Sequence, residues 1–139
     1  MSRPTREEIY MEMAQVVSKR STCLRKKVGA VLVKNNHILG TGYNGAAKDQ
    51  ESCTDSGCDL VDNHCVRTVH AEVNAILSAA VNGVSTSGAI LYSTCKPCFR
   101  CYSFLKNADI QEVIYIEDYD DGRNIEIVKT QRFTNEQAS

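Results

Sequence analysis

At 139 residues, 42% hydrophobic and 24% charged, the chain has the composition of an ordinary globular domain, long enough to bury a core without disulfide staples. A formal net charge of -1 excludes the basic footprint of a protein that coats long nucleic acid, so no polynucleotide partner is expected. No run of about 18 apolar residues occurs and MSRPTREEIY carries no hydrophobic signal region, so no membrane span and a cytoplasmic chain are expected.

Pro4 and Thr5 open a first helix, where Thr5 and Glu8 make a capping box. Ile9, Met13, Val16 and Val17 recur at helical spacing as its apolar face. Lys19, Arg20, Arg25, Lys26 and Lys27 form a small basic cluster, read either as a solvated helix end or as a pocket for one phosphate. Gly29 breaks the helical pattern. Ala30–Val33 and Ile38–Thr41 read as two strands joined by the turn residues Asn35 and Asn36, with His37 exposed at the hairpin. From Tyr43 to Arg67 periodicity predicts neither helix nor strand, and a loop this long needs something to offset its ordering entropy. HAEVNAILSAA, from His70, predicts a helix with Val73, Ile76, Leu77 and Ala80 on one face. AILYS predicts a short buried strand, and Pro97 fits the first position of a helix continued by Leu105 and Ala108. EVIYI, 112–116, predicts another strand. After Gly122 the pattern weakens; Ile125, Ile127 and Val128 suit strand or helix, and the last residues are expected to fray. The alternation predicts one α/β domain over 1–139: a three-layer α/β/α sandwich with a central mixed sheet, an antiparallel hairpin first and parallel crossovers after.

Seven cysteines in a chain read as cytosolic point to metal or catalysis rather than disulfides. His70-Ala71-Glu72 starts one predicted helix and Pro97-Cys98-Phe99-Arg100-Cys101 starts the next. A spacing of three brings both sulfurs to one side of a helical turn, and the positive end of a helix favours the thiolate that zinc binds. Two sulfurs and one imidazole are three ligands, the pattern of a catalytic zinc that keeps one position open for water. Beside it, Glu72 can take that water's proton and deliver it elsewhere. A CxxC alone is weak evidence, and a lone His before a helix is more often a cap. The combination H-x-E with P-C-x-x-C is the signature of zinc nucleobase deaminases.

At these residues the chain resembles the cytidine/deoxycytidylate deaminase superfamily, and within it the branch acting on deoxycytidylate (dCMP). The resemblance runs from about residue 7 to residue 119 and includes KKVGAVLV (26–33), TGYNG (41–45), HAEVNAI (70–76) and YIEDY (115–119). It implies a cytidine deaminase-like fold built into homo-oligomers, hexamers being favoured. It also implies a catalytic zinc on His70, Cys98 and Cys101, hydroxide attack at C4 of cytosine, and proton transfer by Glu72 to N3 and then to the departing ammonia. The implied products are dUMP, a precursor for thymidylate synthesis, and ammonia. Asn44 is implied to bond the deoxyribose, Arg25 and its neighbours to hold the 5′-phosphate, and Tyr119 to lie against substrate or effector, although a half-buried aromatic at a strand end explains Tyr119 equally well. Relatives are often activated by dCTP, with Mg²⁺, and inhibited by dTTP. Here two positions depart from their pattern: Ala46-Ala47, where the second is often proline, and Val81, where some have arginine.

Of the five cysteines left, Cys95 reads as a buried thiol beside the site. Cys23, Cys53, Cys58 and Cys65 can make one closed tetrahedral site for a second, structural zinc that anchors the long loop, as some members of the resembled family have. His64 competes for the fourth place, and four buried free thiols are the plainer reading. Two other functions fit the motifs: deamination of another amino-substituted ring (cytidine, dCTP, guanine or a tRNA base), and a zinc-stabilised binding module without catalysis.

Overall fold

A computed structural model of the chain describes residues 2–52, 60–61, 64–65, 68–119, 123 and 126–134; at 60, 61, 64 and 65 it describes the backbone alone. The first helix, α1, runs Arg6–Ser18 from the expected capping box: the Thr5 N–H donates to Glu8 Oε1 at 3.0 Å, and the Glu8 N–H donates to Thr5 Oγ1 at 3.2 Å. The hairpin is also as expected, with β1 at Gly29–Lys34 and β2 at His37–Tyr43. Asn35 and Asn36 have φ of 51° and 63°, a type I′ turn whose twist matches the strands it joins, and asparagine tolerates that backbone best after glycine. The pairing passes from Leu32↔Gly40 to Val33↔Ile38, so Leu39 is the extra residue of a bulge.

The main sheet has the order β2-β1-β7-β8-β9, with β7 at Ile90–Cys95, β8 at Glu112–Glu117 and β9 at Lys129–Arg132. The β1 pairings with β2 and β7 are antiparallel, whereas β7–β8 and β8–β9 are parallel, which is the mixed sheet expected. Helix α2 (Ala71–Val81) follows β6 (Thr68–Val69), and helix α3 (Phe99–Asn107) follows β7. Tyr10, Met11 and Ala14 of α1 pack on Val31, Val33, Tyr92 and Ile114 on one face. Ala71 and Ala75 of α2 and Tyr102 and Leu105 of α3 pack on Ala30, Leu32, Leu91 and Val113 on the other. The three layers follow from period-two alternation in β1, β7 and β8. The weak pattern after Gly122 resolves as strand β9, with Val128 buried just before it and Tyr102 Oη 2.9 Å from Thr130 Oγ1.

Four expectations are corrected. The segment read as free of regular structure contains short strands: β3 (Gly45–Ala46) pairs with β6 (Thr68–Val69), and β4 (Leu60–Val61) pairs with β5 (His64–Cys65). Two-residue strands are too short to show a period. The buried face of α1 is Tyr10, Met11 and Ala14, while Ile9 and Val16 are exposed. Helix α2 likewise turns Ala71, Ala75 and Ala79 to the sheet and leaves Leu77 and Ala80 exposed. Pro97 lies before the helix rather than in its first turn, because Cys98 is the N-cap of α3.

The rotation of both buried faces, with Met13 and Ile76 still packing at their edges, has one physical cause, glycine on the opposing strand. A Cβ on Gly42 would lie 2.3 Å from the Ala71 carbonyl oxygen and 2.4 Å from Ala75 N; one on Gly40 would lie 2.6 Å from the Ala75 carbonyl oxygen. At Gly29 the Ala14 carbonyl oxygen would be 2.0 Å away. Backbone meets backbone at these points, so only alanine fits on the helix side, and bulk goes outward. Gly42→Ala is therefore expected to displace the start of α2 and cost at least about 1–3 kcal/mol, the usual range for overpacking a core. Denaturant unfolding should show this loss, while Ile9→Ser on the exposed face of α1 should change stability by less than about 0.5 kcal/mol.

Candidate active site

The site forms where the two helices of one layer begin. His70 is the N-cap of α2 and Cys98 the N-cap of α3, and neither side chain makes the capping hydrogen bond. Both instead turn toward each other. His70 Nδ1 lies 3.2 Å from Cys101 Sγ and 3.4 Å from Cys98 Sγ, and the two sulfurs are 3.7 Å apart. These three atoms could hold a metal ion, and they form the one such group found among the described residues. A tetrahedral zinc with bonds of about 2.3 Å to sulfur needs sulfurs about 3.8 Å apart, so the donor set fits in both type and spacing. The thiol of Cys101 bonds Cys98 and holds its pKa down to about 4, while the same bond and burial push Cys101 up. The bond to Cys98 raises His70. Two sulfurs and an imidazole that share protons this closely are placed to exchange them for a dication.

Glu72, in the first turn of α2, is 4% exposed. Its Oε2 lies 3.5 Å from Cys101 Sγ and its Oε1 lies 3.2 Å from the hydroxyl of Ser93 on β7. Burial raises its pKa above the ordinary carboxyl value. Asn74, two residues along, donates to the Tyr43 carbonyl at 2.8 Å and to that of Val69 at 3.4 Å. It ties the start of α2 to the end of β2, work the sequence reading did not assign to it.

A cavity of about 320 Å³ opens on His70, Glu72 and Cys98. Arg25, Lys26, Lys96 and Tyr119 also line it, so all three residues expected to touch a substrate (Arg25, Asn44 and Tyr119) do. Asn44 is more constrained than expected. Its Oδ1 accepts the Val28 N–H at 2.8 Å and its Nδ2 donates to the Lys26 carbonyl at 2.6 Å, so it fixes the basic segment against the cavity. Lys26 in turn pairs with Glu117 at 3.4 Å. Lys96, missed by the sequence reading, pairs with Glu126; its only signal was adjacency to Pro97-Cys98. Cys95 is buried as expected, and burial keeps its pKa raised.

Cys23 is buried and lies on this cavity wall. Cys53 and Cys58, and the side chains of His64 and Cys65, lie outside the described residues, as does Gly122.

Residues 4–117 match the family model for the cytidine and deoxycytidylate deaminase zinc-binding region. The chain belongs to the cytidine and deoxycytidylate deaminase family. It is thus a zinc-binding deaminase domain, with His70, Cys98 and Cys101 as candidate ligands. Among relatives in this family, ComE operon protein 2 of Bacillus subtilis is 41% identical over 119 residues, 86% of this chain and 63% of that protein. The deoxycytidylate deaminase of Schizosaccharomyces pombe is 36% identical over 84% of this chain and 38% of its own length. The chain therefore spans less than two thirds of those two. It spans nearly all of the deoxycytidylate deaminase of Mycobacterium phage D29, 36% identical over 83% of this chain and 97% of that protein. Among solved structures, the dCMP deaminase of cyanophage S-TIM5 in complex with dCMP and dUMP superposes with a TM-score of 0.82. It is 31% identical and covers 96% of this chain and 100% of that one. Among the described residues no helix is long and apolar enough to cross a membrane.

Cys98→Ser and Cys101→Ser are each expected to lower the zinc content of this deaminase domain well below that of the unmodified chain, as read by metal analysis after dialysis.

Proposed function

We propose that this chain deaminates dCMP by hydrolysis to dUMP and ammonia. The observation that carries the reading is one cavity lined by two chemically different kinds of group. Glu72 and two of the candidate metal ligands, His70 and Cys98, share its lining with the basic residues Arg25, Lys26 and Lys96. A neutral base to be attacked and a phosphate to be held need both kinds of group in one cavity. A guanidinium fork and ammonium groups suit phosphate oxygens. The likeness to the cyanophage enzyme, complete over that chain, supports the same substrate.

Zinc, when bound by His70, Cys98 and Cys101, supplies a Lewis acid that lets water act as a nucleophile near neutral pH. Glu72 takes the first proton as the water oxygen bonds to C4, and passes it to N3 of the ring. It then takes the second proton from that oxygen and gives it to the amino group. The C4–N bond breaks, ammonia leaves and C4 becomes a carbonyl. Arg25, with Lys26 and Lys96, holds the 5′-phosphate. Asn44 offers its remaining amide hydrogen to the deoxyribose, and Tyr119 lies against the nucleotide.

The same reading includes a second zinc on Cys23, Cys53, Cys58 and Cys65, with His64 as competitor; the buried Cys23 thiol supports it. It also includes a homo-oligomer, with a hexamer favoured. The supporting observation is that Leu77, Val81 and Phe104 are exposed, Val81 at 85%. Response to dCTP with Mg²⁺ and to dTTP rests on the family resemblance.

Ammonia release across dCMP, dCTP, cytidine, guanine and a tRNA substrate tests the assignment. Turnover of dCMP should dominate, and preference for the nucleoside would sink it. Glu72→Gln should lower dCMP turnover by about 10²–10⁴-fold and leave zinc content and folding near those of the unmodified chain, an outcome a non-catalytic zinc module would not show. Metal analysis should find two zinc ions per chain, and one in Cys53→Ala.

A further inference from the structure

Ser93 sits in the middle of the sheet, where a hydroxyl has no packing task. It lies on β7, paired with Ala30 of β1 and Tyr115 of β8, and is fully buried. Its cross-strand partner Ala30 packs in one cluster with Ala71 and Ala75 of α2. An alanine would satisfy the shape. A buried hydroxyl is retained at a cost unless it is hydrogen-bonded, so its bonds are the reason to look for a role.

One of those bonds reaches Glu72. Ser93 Oγ is 3.2 Å from Glu72 Oε1, 2.7 Å from the Cys95 carbonyl oxygen, and accepts the Cys95 N–H at 3.4 Å. A hydroxyl has one hydrogen and two acceptor sites. The two contacts to the backbone of its own strand brace the side chain, so Oγ has one position and the rotor has two acceptors, Cys95 O and Glu72 Oε1. The two oxygens of Glu72 are thereby unequal. Oε1 faces the sheet and a fixed hydroxyl, while Oε2 faces Cys101, 3.5 Å away, on the metal-ligand side.

We propose that Ser93 is a positioning residue for Glu72, whose hydroxyl occupies Oε1 and so leaves proton transfer to Oε2, the oxygen beside the metal ligands. The inference rests on the deaminase reading above. A carboxylate free to rotate presents either oxygen at the ligands in varying directions. One anchored through Oε1 presents Oε2 in a single direction, and a small error in aim costs rate rather than binding. Ser93 itself touches neither substrate nor metal ligands, so its loss should appear in turnover and not in affinity.

Threonine and valine at position 93 have the same shape and differ in the hydroxyl, so their comparison cancels the strain of a larger side chain in a packed site. Ser93→Thr and Ser93→Val are to be assayed on dCMP together with the unmodified chain. The expected result is a kcat about tenfold lower for valine than for threonine, with KM within about twofold and equal zinc per chain. Equal kcat in the two variants would overturn the proposal, and so would a difference explained by zinc loss from the valine variant alone. If neither variant folds, Ser93→Ala takes their place: lowered kcat with unchanged KM and zinc supports the role, and unchanged kcat overturns it. An unmodified chain that released no ammonia from dCMP would instead overturn the functional reading, and this inference with it.

Discussion

The contact between the α2 backbone and the glycines of β2 is the constraint on which the site depends. Gly40 and Gly42 let the helix approach until the Ala71 and Ala75 backbone fills the space a side chain would occupy. That approach fixes the height and azimuth of α2, and hence the direction in which His70 and Glu72 leave its first turn. Asn74 adds a polar tie to the same strand end. A helix resting on larger side chains could shift by the slack in their rotamers; one resting on backbone cannot.

The second half of the site arrives from the other direction through β7. That strand carries Ser93 and Cys95, and its exit carries Lys96 and Cys98. Because β7 and β8 are parallel, their carboxyl ends lie on one edge of the sheet. The chain after β8 therefore brings Tyr119 to the same cavity. The antiparallel hairpin adds the start of β1 and the end of β2 to that edge, with Arg25 and Lys26 on one side and Asn44 on the other. Binding in the crevice at the carboxyl ends of strands is the general habit of open α/β sheets. Here the mixed sheet lets antiparallel strands contribute as well.

This edge concentrates groups that are costly to bury. A carboxyl group, two thiols and an imidazole lie within hydrogen-bonding range of one another at low exposure. Buried charge is tolerated when it is paired or coordinates a metal. A dication among two thiolates and an imidazole would offset most of that cost. Glu72 lies buried beside them. The remaining basic side chains are held by carboxylates at the rim, Lys26 by Glu117 and Lys96 by Glu126.

Features decided by neighbours in sequence were legible from the sequence. The capping box needs residues three apart, the type I′ turn needs Asn35-Asn36, and the CxxC turn brings two sulfurs to one side of a helix. That His70, Cys98 and Cys101 come together as a candidate ligand group was legible for the same reason, with the deaminase signature added. Which face of each helix is buried was not legible. Ile9, Val16 and Leu77 are apolar and correctly spaced, yet the alanines face the sheet, because the deciding residues are glycines on strands distant in sequence. The role of Ser93 was invisible too. A serine in a strand carries no signal until the fold sets its hydroxyl against Glu72. Local bonding patterns thus determined the longer elements and the candidate ligand group. Only tertiary packing decided how closely the layers approach, which oxygen of Glu72 faces the ligands, and that Asn44 braces the basic segment, since each depends on distances between parts of the chain whose separation no local pattern encodes.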